Sequence, residues 1–215
     1  MLENHSAQLV SITPNAEEQI VYMARVSNPK NQANMDTAPR LIKYLIKHKH
    51  WSPFEMASIQ VEISTTRAIA AQVLRHRSFS FQEFSQRYSD VGELEAIGLP
   101  HLRTQDTKNK QASHDNLDPE IKEMFELHTE RLYSQAQDLY QHMLEKGVAK
   151  ECARSVLPLG TPTKIYMAGT IRSFIHYVQI RAGEETQLEH RLIAEDIKGI
   201  IKDNLPSIYE AAFIL

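Results

Sequence analysis

The clearest pattern in the chain runs from Ser58 to Ser64, where Ile59, Val61 and Ile63 alternate with Ser58, Gln60, Glu62 and Ser64. A period of two buries one side and leaves the other polar, which predicts a half-buried β-strand. Residues 8–13 (QLVSIT) predict a shorter strand, and residues 163–170 a further one. Elsewhere the spacing lengthens to that of helices. Asn15 with Glu18 three residues later is a capping signal for a helix through about Val26, which Asn28 and Pro29 stop. Thr37 is placed to cap a second helix that ends near His50, with Pro39 in its first turn and Leu41, Tyr44 and Leu45 on one face. Residues 67–76 are again helical in pattern. Asp118-Pro119 opens a long helix that Gly147 closes, with Ile121, Phe125, Leu132, Leu139 and Met143 as its apolar stripe. Two more helices are expected over about 172–182 and 185–204. The second turns Ile193, Ile197, Ile200 and Ile201 inward, Pro206 breaks it, and a short apolar tail (AAFIL) follows. Residues 104–118 hold one large apolar residue, Leu117, and read as a loop or mobile insertion long enough for a lid or an interface arm. With no internal repeat and no shift in composition, the expectation is one α+β domain over residues 1–215, richer in helix than in strand.

Composition narrows the classes of function. A chain of 215 residues can bury a real core without disulfides or a metal staple. Its net charge of −3 lacks the global basic field of a protein that binds polymeric nucleic acid. Cys152 is the only cysteine, so an internal disulfide is impossible and a reducing compartment fits best. The first residues lack the basic-then-apolar order of a secretory signal, and no run of about eighteen apolar residues predicts a membrane span. A cytoplasmic setting is expected.

The candidate chemistry concentrates in RHRSFSFQEFSQRYSD, Arg75 to Asp90, where three arginines, a histidine, four serines and four aromatic rings share sixteen residues. If the second half is extended, Glu83, Ser85 and Arg87 fall on one face, a set suited to a small polar ligand with an anionic end. Gln72 precedes Arg75 by about one helical turn and can face the same ligand. The competing account is a solvated edge strand with an ion pair between Glu83 and Arg87. A module that stacks bases on Phe79, Phe81, Phe84 and Tyr88 is a third, weakened by the acid Glu83 inside the patch. His48 and His50 are two apart, whereas helical metal pairs need three or four, so no metal site is assigned. Cys152 has Arg154 two residues on, but a lone cysteine in a helix reads as packing rather than as a nucleophile. Arg154, Arg172 and Arg181 lie on or beside apolar helical segments, where each needs a carboxylate or a ligand phosphate; Arg172 and His176 share a face. Neither GxGxxG nor GxxxxGK[ST] occurs, so a Rossmann or P-loop site is not indicated.

At these residues the chain resembles the flavin-dependent thymidylate synthases, the ThyX family. Their signature is Arg-His-Arg, seven residues, then Ser, here Arg75, His76, Arg77 and Ser85. HWSPFEM at 50–56, AAQVLRHR at 70–77, ARSVLPL at 153–159 and the R-S-F-x-H-Y…RAG segment at 172–183 follow in the family's order. The resemblance implies a ThyX-like fold, a central antiparallel sheet flanked by helices, assembled as a homotetramer with active sites shared between subunits. It implies conversion of dUMP to dTMP with methylenetetrahydrofolate as one-carbon donor and FAD, reduced by NADPH, as hydride source. By position, Arg75, His76, Arg77, Glu83, Thr170, Ile171, Arg172 and His176 match FAD contacts, His50 a histidine beside the flavin, and Ser52 a contact from another subunit. Gln72, Arg75, Glu83, Ser85, Arg87, Arg154 and Arg181 match dUMP contacts, and Arg181 matches the arginine that stabilises negative charge on the pyrimidine. The family uses no enzymic cysteine, which agrees with an inert Cys152, and Ser85 has no evident base to make it a nucleophile. Gln82 stands where many members carry Asn, and His176 where some do. Glu185 replaces a histidine and is assigned no role.

Overall fold

The computed structural model describes residues 5–214. Its elements, in chain order, are β1 (Ser6–Ile12), α1 (Ala16–Ala24), α2 (Ala38–Lys47), β2 (Ser58–Thr66), α3 (Arg67–Val73) and β3 (Ser80–Glu83). They continue with β4 (Thr104–Gln105), β5 (Ser113–His114), α4 (Pro119–Glu145), α5 (Lys150–Ala153), β6 (Pro162–Thr170), α6 (Ile171–Arg181), α7 (Leu188–Asn204) and α8 (Pro206–Tyr209). Four strands form one sheet in the order β1-β2-β6-β3, and every neighbouring pair is antiparallel. The expected helix-rich α+β architecture around an antiparallel sheet is what the chain adopts.

The period of two in β2 does what it predicts. Ile59, Val61 and Ile63 are buried, and across the sheet so are Ile165 and Met167 of β6. The opposite face is polar: Lys164 pairs with Glu62 at 2.8 Å, and the Tyr166 hydroxyl donates to the same carboxylate at 2.6 Å. Two adjacent strands then launch two helices from opposite ends of the sheet. Thr66, at the end of β2, accepts from the Ile69 amide, and Thr170, at the end of β6, accepts from Ser173. Both are side-chain N-caps that satisfy orphan donors where strand becomes helix. Both helices pack into the core that Ile193, Ile197 and Ile201 of α7 complete, and the region after the last turn of α3 meets the last turn of α6. That convergence positions the candidate site.

Several local expectations are corrected. Asn15 stands before α1 in a left-handed conformation and makes no side-chain cap; α1 ends at Ala24. Thr37 occupies the cap position of α2, but its hydroxyl accepts from the buried Arg25 guanidinium at 2.7 Å instead. A buried cation outcompetes a solvent-accessible amide for that oxygen. Residues 104–118 contain a small hairpin, β4 with β5, tied down at its root by an Arg103–Glu189 ion pair. The α4 boundaries follow their signals: Asp118 accepts from Glu120 and Ile121, while Gly147, at φ 82, closes a Schellman turn in which its own N–H bonds Leu144 and that of Val148 bonds Met143. The α4 stripe, however, remains exposed along most of its length. Cys152 is exposed rather than packed in a core. No helix among the described residues is long and apolar enough to cross a membrane.

Candidate active site

The expected site residues fall into three groups within one chain. The first lies where α3 and α6 converge. Gln72, Arg75 and Arg181 line a cleft of about 540 Å³ with Gln111, Glu185 and Gln187. The Arg181 Nε–H donates to His76 Nε2 at 3.0 Å. That bond needs a neutral imidazole, and burial, with the Arg181 charge adding to it, pushes His76 below the ordinary histidine range. Arg181 is therefore a fixed guanidinium whose orienting partner adds no charge. Arg75 and Arg77, by contrast, are exposed and make no ion pair among the described residues.

The second group surrounds the first turns of α6. His50 and Ser52 are exposed. Trp51 between them packs edge-on against the His176 ring, with centroids 5.0 Å apart. Arg172 is ion-paired with Glu55, and Thr170 is the helix cap. Ile171 is different: its side chain is fully buried and its amide bonds the Ala57 carbonyl, so neither faces a ligand. Arg172 lies about 14 Å from Arg181 along α6 at 1.5 Å per residue, while Ser173 beside it donates to the Ser78 carbonyl, next to Arg77, at 3.3 Å, so the two groups adjoin along that side.

The third group is Ser85, Arg87 and Arg154. The period-two reading of Glu83, Ser85 and Arg87 fails here. The strand β3 ends at Glu83, and Ser85 begins a turn in which its carbonyl accepts from Tyr88 and Ser89. Glu83 turns inward to Arg67 and Thr163, while Arg87 turns outward to Glu151 at 3.1 Å. The alternative Glu83–Arg87 pair does not form either. Arg154 follows α5 and has no ion pair among the described residues.

The sequence reading missed a polar chain behind the first group. His190 is completely buried, with Nε2 2.9 Å from the Tyr177 hydroxyl and Nδ1 3.3 Å from Gln72 Oε1. Burial pushes its pKa down to about 3, with Arg181 and His76 adding to the shift, and burial raises that of Tyr177. Glu189, also buried, binds Arg103 through both oxygens at 2.9 and 3.0 Å. Burial alone would raise its pKa, but the bonds from Arg103 hold it below the ordinary range. A signal was present: His190 lies three, seven and eleven residues before Ile193, Ile197 and Ile201, in register with the buried stripe. A titratable group at such a position needs partners.

An antiparallel α+β core thus carries a cleft whose lining includes two arginines, cations suited to a small anionic ligand. The chain belongs to the thymidylate synthase complementing protein family, whose model matches residues 8–207. It is 52% identical over 214 residues to a probable flavin-dependent thymidylate synthase of Paramecium bursaria Chlorella virus 1, covering 96% of this chain and 98% of that one. It is 47% identical over 192 residues to a flavin-dependent thymidylate synthase of Synechocystis sp., covering 89% and 87%. In three dimensions it is similar to a UMP/dUMP methylase of Streptomyces cacaoi whose crystal structure has 5-Br dUMP bound, with a TM-score of 0.82 at 26% identity over 96% of this chain and 93% of that one.

Proposed function

We propose that the chain is a flavin-dependent thymidylate synthase that converts dUMP to dTMP, with FAD as cofactor and NADPH and methylenetetrahydrofolate as co-substrates. The observation that carries this reading is the cleft where Arg75 and Arg181 open together beside Gln72, in a member of this family. The donor set fits a flavin dinucleotide and a nucleotide monophosphate. Arg75, Arg77 and Arg154 are guanidiniums without carboxylate partners among the described residues, in a chain whose net charge is −3. Unpaired guanidiniums suit phosphate oxygens in bidentate geometry. Arg75, His76 and Arg77 would hold FAD, with His50 beside its ring, Thr170, Arg172 and His176 as a further contact segment, and Ser52 reaching it from another subunit. The bound flavin supplies the hydride, and the protein supplies binding and charge.

Gln72, Arg75, Arg181, Arg154 and the Ser85–Arg87 turn would hold dUMP. Arg181, fixed by His76, would stand beside the pyrimidine and stabilise the charge that develops there. The three groups are spread over one chain, and the α4 stripe is exposed. Both features support a homotetramer in which one active site draws its groups from different protomers. A chain with a single cysteine fits a reducing, cytoplasmic setting.

The test is purification and assay. The protein should be yellow, and it should oxidise NADPH in a dUMP-dependent manner with methylenetetrahydrofolate supplied, giving dTMP. A colourless protein that forms no dTMP after FAD is added would end this reading.

A further inference from the structure

The buried chain behind the cleft has a direction, and its direction is set from its ends. Glu189 is a carboxylate bound by Arg103 through both oxygens, so it can only accept. Gln187 must therefore turn its Nε2 to Glu189, at 2.9 Å, and is left with Oε1 for Gln72. Gln72 must in turn donate Nε2–H to that oxygen, at 2.7 Å, which leaves its Oε1 for His190. His190 Nδ1 must then carry the proton, and Nε2 accepts from the Tyr177 hydroxyl, whose one hydrogen-bond partner among the described residues this is. The far end agrees independently, because a buried phenol with one partner is best satisfied as the donor. Every link from Tyr177 to Glu189 thus runs donor to acceptor in one sense.

An isolated glutamine amide can flip, offering a ligand either its carbonyl or its N–H. Here the bonds from His190 to its oxygen and from its nitrogen to Gln187 fix which way the Gln72 amide faces, and its second N–H is left free. It lines that cleft beside Arg75 and Arg181, which can only donate. We propose that His190, Gln187 and the Arg103–Glu189 pair are positioning residues that hold the Gln72 amide in one orientation, so that beside Arg75 and Arg181 it turns its free N–H to the cleft and selects the acceptor atoms of a nucleotide, its phosphate or pyrimidine carbonyl oxygens. The substrate half of this rests on the reading of the cleft as the dUMP site. His190, Glu189 and Arg103 stand outside the lining of the cleft and need not touch the substrate, Gln187 lies on its wall, and the hairpin root at Arg103 becomes part of the active-site frame.

The network is tested without activity by nitrogen-15 NMR of histidine-labelled protein at neutral pH, with the His190 signals assigned from their loss in His190→Gln. A neutral ring protonated at Nδ1 is expected. A ring protonated at Nε2, or at both nitrogens, overturns the proposal. The substrate half is tested by dUMP calorimetry and steady-state kinetics on Gln187→Met, an exposed position where folding is not at risk, and on the pair His190→Leu and His190→Gln. Gln187→Met and His190→Leu should each weaken dUMP about five- to tenfold, the scale of one lost hydrogen bond. This should appear in KM, with kcat within about twofold, and His190→Gln, which keeps a donor, should recover most of the loss. Unchanged dUMP affinity in Gln187→Met overturns the positioning role. So does a His190→Gln variant no better than His190→Leu, which would mark His190 as packing only. A wild-type protein that binds no dUMP sinks the substrate half, while the tautomer still decides the network.

Discussion

In α7, Ile193, Ile197 and Ile201 are completely buried, whereas in α4 the matching stripe of Ile121, Phe125, Leu132 and Leu139 stays between 44% and 60% exposed. Along α4 only Tyr140 is fully covered, where Met143 and Leu144 join it against Val91 and Ala153. Both helices carry an apolar stripe at helical spacing, so pattern alone does not separate them. The difference lies in what each helix lands on. α7 closes the apolar face of the sheet and, through Glu189 and His190, reaches the cleft. α4 lands only its C-terminal part on a small separate cluster, and the rest of its stripe is left exposed. An amphipathic pattern says that a face will be covered; it does not say by which chain.

The largest effect should come on the rigid side of this comparison, at the cleft that α6 and α7 frame. Arg181→Ala removes a fixed guanidinium whose orientation His76 sets, and should slow turnover by about 10²–10³-fold while FAD stays bound. Absorbance spectra and single-turnover kinetics check this; loss of flavin with dUMP affinity unchanged would reassign Arg181 to the cofactor. Next comes the core of α7 itself. Ile197→Ala should lower stability by about 2–5 kcal/mol in urea denaturation, since the side chain is fully enclosed and its loss leaves a cavity. A loss under ~1 kcal/mol would mean that this core collapses easily and is no more rigid than α4.

These two positions also mark how far the sequence could be read. Ile197 and the β2 alternation were legible because burial there follows from spacing within one element. The α4 ends were legible because Asp118 and Gly147 act on their immediate neighbours. Helical spacing paired Gln72 with Arg75, which share the cleft, but the rest of the cleft was legible only by family resemblance, because its contacts join distant segments: His76 meets Arg181 across 105 residues, and Arg103 meets Glu189 across 86. The turn at Ser85 was misread as strand because alternation continues past Glu83, while two backbone bonds to the Ser85 carbonyl curl the chain. Nothing in hydropathy reports such a turn.

A smaller effect should follow acidification. Burial lowers the pKa of His5, His76 and His190, the last to about 3. Between the unfolded value of about 6.5 and these lowered values, the unfolded chain binds protons that the folded one refuses, so stability rises with pH. The contribution is complete above about pH 6.5 and is lost as pH falls through the window toward 3. Glu189, also lowered, adds loss in the same sense below its unfolded value near 4.5. Each fully refused proton costs about 1.4 kcal/mol per pH unit. Thermal midpoints between pH 7 and pH 5 should fall, and His190→Gln should flatten part of that slope because the group that refuses the proton is gone. An unchanged slope would place the acid sensitivity elsewhere.

The smallest effect on folding, and the sharpest test of the comparison, belongs to Leu132→Glu. Leu132 is 60% exposed in the single chain, so a charge there removes little that the chain's own fold uses. The change should cost under about 0.5 kcal/mol of the chain's intrinsic stability, as surface substitutions do. If the stripe is a subunit interface, the same charge must be desolvated against a partner, and sedimentation velocity should show the assembly dissociating. Activity should fall with it, since the free guanidiniums of one chain would no longer meet the groups supplied by another. A variant that stays assembled and fully active would show that α4 keeps its stripe for something other than the catalytic oligomer.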